Sequence, residues 1–281
     1  MTATANPEIG QSVVANGIAT NYLESGSGDP VVFIHGSGPG VTAYANWRLS
    51  LPLLADRFHC YAPDMAGFGF TERPAGIRYG LQTWVDQLLG FLDALGLERV
   101  SLVGNSFGGA IALRFAVDHP DRLDRLVLMG SVGVPFDITE ALDAAWGYEP
   151  SLGGMRRMLD YFAYSRDLVT DELAQIRYEA SIRPGFQESF SAMFPAPRQR
   201  WVEALSTPDD QIAAIRRPTL IEHGRVDQVI PIATSLRLNE LIDDSELHIF
   251  GRCGHWTQIE KAGPFTELVG DFLARRHCGP L

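Results

Sequence analysis

Lysine is nearly missing from this chain: of its 23 basic residues, only Lys261 is one. Schiff-base chemistry and a phosphate-loop lysine have that single candidate, with no suitable motif around it, so any anion site must rely on arginine. Cysteine is scarce as well. Cys60, Cys253 and Cys278 are odd in number and lack the paired spacing of a disulfide framework or a zinc knuckle, which makes them reduced bystanders. No apolar run approaches the roughly 20 residues needed to cross a bilayer. The opening MTATANPEIG has neither the basic nor the apolar region of a secretory signal, so a cytoplasmic protein without membrane contact is expected. Positive charge is in deficit. A net charge of -11 and a pI near 5.1 repel a phosphate backbone and argue against a nucleic-acid partner. No H-E-x-x-H, paired-cysteine motif or carboxylate cluster suggests a metal, and no cofactor fingerprint is present, so the chemistry is expected to come from side chains alone.

What is present is the composition of an ordinary globular protein, 281 residues long with 46% hydrophobic and 20% charged residues. Short runs rich in Val, Ile and Leu at 31–35, 58–63, 99–103, 123–129, 218–223 and 246–250 alternate with helical patterns, which predicts a mostly parallel sheet flanked by helices. Leu81, Trp84, Val85, Leu88, Leu89, Leu92 and Leu95 trace one apolar stripe at helical spacing. Near the start, 12–15 and 18–22 flank Asn16-Gly17, a pair suited to the positive φ angles of a tight hairpin. The alternation stops after Ser131 and resumes near Pro218. The gap is crowded with Met, Phe, Tyr and Trp at helical spacing, so 135–207 is expected to form a helical cap inserted between core segments 1–134 and 208–281. Trp146 and Val202 are cap side chains that could limit a pocket, although most of the cap's large residues would simply form its own core.

Gly104-Asn105-Ser106-Phe107-Gly108 lies directly after one predicted strand and before the helical run 109–119, the context of a nucleophile elbow. Only small neighbours let the backbone bend sharply enough to lift the serine oxygen clear of the sheet. A serine hydroxyl needs a histidine to take its proton and a carboxylate to orient that histidine. In elbow enzymes these follow in the order acid, then histidine, on loops after late strands. Asp227 and His255 match. His59 and His248 fall within strands, His119 ends a helix, His223 ends a strand and His277 lies in a polar tail, while Asp121, Asp124, Asp209, Asp210, Asp243 and Asp244 read as caps or solvated faces. His35-Gly36-Ser37-Gly38-Pro39-Gly40 fails as a dinucleotide fingerprint because Val41 stands where glycine is required. It suits an oxyanion loop, with the amide of Ser37 joining that of Phe107, or else it is a plain glycine turn.

HGSGPG at 35–40 with Asn46-Trp47, PDMAGFGFT at 63–71, GNSFGG at 104–109, FPAPRQRW at 194–201 and CGHWTQIE at 253–260 together resemble the meta-cleavage product hydrolases, carbon–carbon bond hydrolases of the α/β-hydrolase superfamily. Within that group the chain is most similar to those acting on 2-hydroxymuconate semialdehyde. The resemblance implies an α/β-hydrolase fold and a small anionic dienoate as substrate. Cleavage would give 2-hydroxypenta-2,4-dienoate plus formate or a short acid. It also implies Asn46, Asn105, Arg183 and Trp256 as substrate-binding residues, and self-association of the chain. Acyl-enzyme and gem-diol routes would use the same triad. Two other readings stay open: an ordinary carboxylesterase, and a ligand receptor on the same scaffold that closes its cap without turnover.

Overall fold

A computed structural model describes residues 6–275, so His277 and Cys278 lie outside the described residues. The chain runs β1 (Gln11–Ala15), β2 (Ile18–Gly26), β3 (Pro30–Ile34), α1 (Ala43–Trp47), α2 (Leu51–Leu54), β4 (His59–Pro63), α3 (Leu81–Ala94), β5 (Val100–Asn105), α4 (Phe107–Asp118) and β6 (Leu123–Met129). After β6 come α5 (Glu140–Trp146), α6 (Leu152–Phe162), α7 (Asp171–Ser181), α8 (Phe186–Met193) and α9 (Gln199–Ala204). The remainder is α10 (Asp209–Ile212), β7 (Thr219–Gly224), α11 (Ile232–Leu241), β8 (Ser245–Phe250), α12 (Thr257–Glu260) and α13 (Ala262–Leu273). None of these helices is long and apolar enough to cross a membrane.

Among the described residues the eight strands form one sheet in the order β1-β2-β4-β3-β5-β6-β7-β8. The chain enters by a hairpin whose turn residues Asn16 and Gly17 have φ of 47° and 78°, a left-handed pair that places Ala15 opposite Ile18. From β4 to β8 every pairing is parallel. The central strands β5 and β7 are buried at every residue, as strands covered on both faces must be, whereas β8 at the edge alternates between exposed and more protected positions. Val31 and Phe33 of β3 face a core with Trp47 and Phe265; Val32 and Ile34 face the opposite core with Phe107 and Ile111. Each such side chain contributes about 1.5–3 kcal/mol by leaving water.

Two details differ from the sequence reading. The stripe on α3 also buries Phe91 and Gln87. The glutamine is tolerated there because its Oε1 accepts from Ala66 N–H at 2.7 Å and its Nε2 donates to Thr20 Oγ1 at 3.0 Å, which leaves no polar atom unpaired. In addition, β5 runs two residues past the expected end, because Gly104 and Asn105 pair with Leu128 and Met129 of β6. The change of direction falls on one residue, Ser106.

From β3 the chain moves to β4 on one side, then crosses back to place β5 on the other. Ligands of open parallel sheets bind at such a reversal, outside the carboxyl ends of the strands. Here the ends of β3 and β5 carry the glycine loop and the elbow.

Candidate active site

Ser106 has φ 54° and ψ -114°, a left-handed backbone that a non-glycine residue holds at a cost of about 1–3 kcal/mol. Hydrogen bonds hold it there: its N–H donates to Met129 O at 2.8 Å, and its carbonyl accepts from Gly109 at 2.9 Å and Val132 at 3.2 Å. The elbow glycines are steric necessities. A Cβ on Gly104 would sit 2.5 Å from Gly108 O, and one on Gly108 would sit 2.3 Å from Ile34 O.

Asp227 lies in the loop after β7. Its Oδ1 accepts from the amides of Val229 (2.7 Å) and Ile230 (3.0 Å), and its Oδ2 meets His255 Nδ1 at 2.7 Å. Burial alone would raise this carboxyl, but His255, His223 and the Ile230 amide together hold it below its usual range. Ionised, it takes the Nδ1 proton of His255 as a hydrogen bond and leaves Nε2 free to accept one. His255 is fixed further by its own N–H, which donates to Phe162 O of α6 at 2.8 Å. Gly130, the next residue after the carbonyl that holds Ser106, abuts the pair: a Cβ there would lie 3.2 Å from Asp227 Oδ2 and 3.4 Å from His255 Nδ1. The elbow and the acid–histidine pair thus meet across one glycine.

His223, read as a strand end, is buried beside the acid. Its Nδ1 accepts from Ser235 Oγ at 2.7 Å, so Nε2 carries the proton, which points to Ile230 O (3.1 Å) and Asp227 Oδ2 (3.4 Å).

Across the crevice, His35 orders the glycine loop. Its Nδ1 donates to Gly36 O at 2.8 Å and its Nε2 accepts from Met65 N–H at 2.9 Å. Burial lowers its pKa to about 4 and keeps it neutral. Ser37 Oγ accepts from the indole of Trp146 at 2.9 Å, and that indole stacks on Phe194 with 4.4 Å between centroids. The helices after β6 therefore reach the loop directly. Phe107 begins α4, where an N–H has no intrahelical carbonyl to bond.

A recess of about 30 Å³ is lined by Ser37, Asn46, Asn105, Arg177, His255 and Trp256, among others. Asn46 and Asn105 are buried, and the Nδ2 group of each has no partner. Unpaired amide donors of this kind cost about 1–3 kcal/mol each unless a ligand accepts from them. The structure thus gathers Asn46, Asn105 and Trp256 around the histidine.

Arg183 is a correction. It does not line the recess: lying past the end of α7, it pairs with Glu8 at 2.5 Å and packs against Phe70 and Phe186. The arginine in the recess is Arg177. Its guanidinium donates to Pro39 O at 3.1 Å, and burial lowers its pKa to about 10 while Glu8 pulls the other way. A signal existed in the sequence. Arg177 shares a helix face with the buried residues Ala174 and Ser181, and an arginine on a buried face needs an anionic partner.

Sheet order, elbow and loop-borne imidazole define the class, an α/β hydrolase, and the family model described as the alpha/beta hydrolase fold matches residues 29–262. A 2-hydroxy-6-oxo-2,4-heptadienoate hydrolase of Pseudomonas putida is 63% identical over 269 residues, covering 96% of this chain and 98% of that one. A 2-hydroxymuconate semialdehyde hydrolase of Pseudomonas sp. strain CF600 is 61% identical, covering 96% and 95%. The solved structure of a meta-cleavage product hydrolase from Pseudomonas fluorescens IP01, a serine-to-alanine mutant complexed with acetates, matches with a TM-score of 0.95 at 57% identity, over 95% of this chain and 98% of that one. The chain belongs to the meta-cleavage product hydrolases of the α/β-hydrolase family.

Proposed function

We propose that this protein hydrolyses the carbon–carbon bond of 2-hydroxy-6-oxo-hexa-2,4-dienoate ring-fission products, such as 2-hydroxymuconate semialdehyde or a 6-alkyl analogue, in the catabolism of aromatic compounds. The products are 2-hydroxypenta-2,4-dienoate and formate or a short carboxylic acid. The observation that carries this reading is the company His255 keeps: half-buried Arg177 and the unpaired amides of Asn46 and Asn105 share its recess. A simple ester has no use for that set. A carboxylate with an adjacent enol oxygen does, because a planar guanidinium matches the carboxylate and amide donors match the oxygens.

A carbon leaving group is too basic to depart unaided, so the dienol is first protonated on carbon to its keto form, with His255 as the proton carrier. The Ser106–His255 couple then delivers the nucleophile to the remote carbonyl, and the amides of Ser37 and Phe107 take the oxyanion. The bond to the dienolate breaks. Water supplies the hydroxyl that ends on the acyl carbon and the proton that ends on the dienolate oxygen, the leaving carbon having gained its proton on ketonisation. The helices of 135–207 act as the cap over this centre.

Mixing the enzyme with the yellow ring-fission product tests the reading: its visible absorbance should bleach faster than simple esters are cleaved. Rapid ester hydrolysis with persistent colour would identify a carboxylesterase instead. Ser106→Ala should lower turnover by about three or more orders of magnitude while titration still shows substrate binding.

A further inference from the structure

Next to the recess lies a second cavity of about 290 Å³, enclosed by α1, the 3-10 turn Arg166–Leu168, α7 and α12. The two spaces adjoin, with Val41, Asn46, Arg177 and Trp256 lining both. The polar equipment of the larger one is unusual for a chain of net charge -11. Arg48 and Arg177 both line it, and neither forms an ion pair with a carboxylate among the described residues. Arg48, at the end of α1, spends one N–H on Ala45 O at 2.6 Å. Asp167 is the carboxylate at the rim, where exposure to water screens it. Gln258 also lines the cavity; it is buried, and its Oε1 has no partner. Two guanidiniums with spare donors and one amide oxygen lacking a donor together describe an anion that carries an O–H beside its charge.

We propose that this outer cavity is a docking station for the 2-hydroxycarboxylate end of the substrate on its way in, and of the dienoate product on its way out, with Arg48 as the capturing residue. The proposal rests on the functional reading above. Its physical logic is local inversion of charge: an acidic protein repels an anionic substrate at long range, and a pair of unpaired arginines along the approach reverses that near the centre. Hydrolysis also turns one carboxylate into two. The dienoate must then leave Arg177, and a second guanidinium further out offers it a next partner.

The test compares Arg48→Gln and Arg48→Lys with the wild type on 2-hydroxymuconate semialdehyde and on 4-nitrophenyl acetate across a range of ionic strength. Arg48→Gln should lower kcat/KM for the dienoate about tenfold at low salt, through KM, and flatten its salt dependence. The neutral ester should be cleaved as by the wild type, and Arg48→Lys should restore most of the loss. Thr170→Asp provides an independent arm, because aspartate still caps α7 while adding a negative charge to the same wall. It should depress dienoate kcat/KM in a salt-dependent way. Equal losses on both substrates, or unchanged dienoate kinetics in Arg48→Gln or Thr170→Asp, would overturn the docking station while leaving the functional reading intact. Failure of the wild type to bleach the dienoate would sink both.

Discussion

Arg177 and Arg183 are six positions apart in one sequence, yet the fold gives them opposite surroundings. Arg183 already has Glu8 as its ion-pair partner and two aromatic rings against it, so little is left for a ligand to gain. Arg177 is held among protein atoms with a single carbonyl partner, so a bound carboxylate would relieve a desolvated charge. Arg177→Gln should therefore reduce kcat/KM for the dienoate about a hundredfold. Arg183→Gln should leave kcat/KM within about twofold of wild type, because its charge is already matched by Glu8. Steady-state assays of the two variants side by side decide the assignment, and the reverse ranking would restore Arg183. The sequence called for an arginine, and the resemblance pointed to Arg183 where the structure places Arg177 in the recess, since choosing between them depends on where α7 ends.

At the level of elements, the elbow is the feature most legible in the sequence. A strand, a residue forced into left-handed backbone and a helix must follow each other without slack, and that demand falls on nearest neighbours. Gly108 is determined from further away: its missing Cβ leaves room for Ile34 O of β3, a strand more than 70 residues earlier. Gly108→Ala should destabilise the fold by about 1–3 kcal/mol in urea titration through overpacking against backbone that cannot yield. A variant as stable as the wild type would mean that β3 and α4 can separate at little cost.

For the molecule as a whole, the telling residue is Glu222, a carboxyl inside the fully buried strand β7. Burial, reinforced by the nearby charge of Asp227, raises its pKa from 4.5 to about 8, even though Thr257 donates to its Oε1 at 2.6 Å. The native state thus keeps a proton that the unfolded chain releases above its own pKa. Stability should fall as pH rises between about 4.5 and 8, by up to ~1.4 kcal/mol per pH unit. Asp64, raised to about 6 by burial, adds a loss of the same sign at lower pH, so the clean window is pH 6 to 8. In that window Glu222→Gln should flatten the dependence of Tm on pH and make the variant more stable than the wild type at pH 8. An unchanged slope would show that another group titrates there.

Patterns that depend on near neighbours were determined by the sequence alone: strands and helices from their periodicities, the hairpin from Asn16-Gly17, the elbow from its glycines, and the order of serine, acid and histidine. Only the tertiary structure decided that Arg177 enters the recess, that His223 braces Asp227, that Trp146 meets Ser37, and that a second cavity lies behind Asn46. The reason is physical. Periodicity records which face of an element turns from water, whereas a buried polar contact depends on where two distant elements cross, and no single stretch of sequence encodes that crossing.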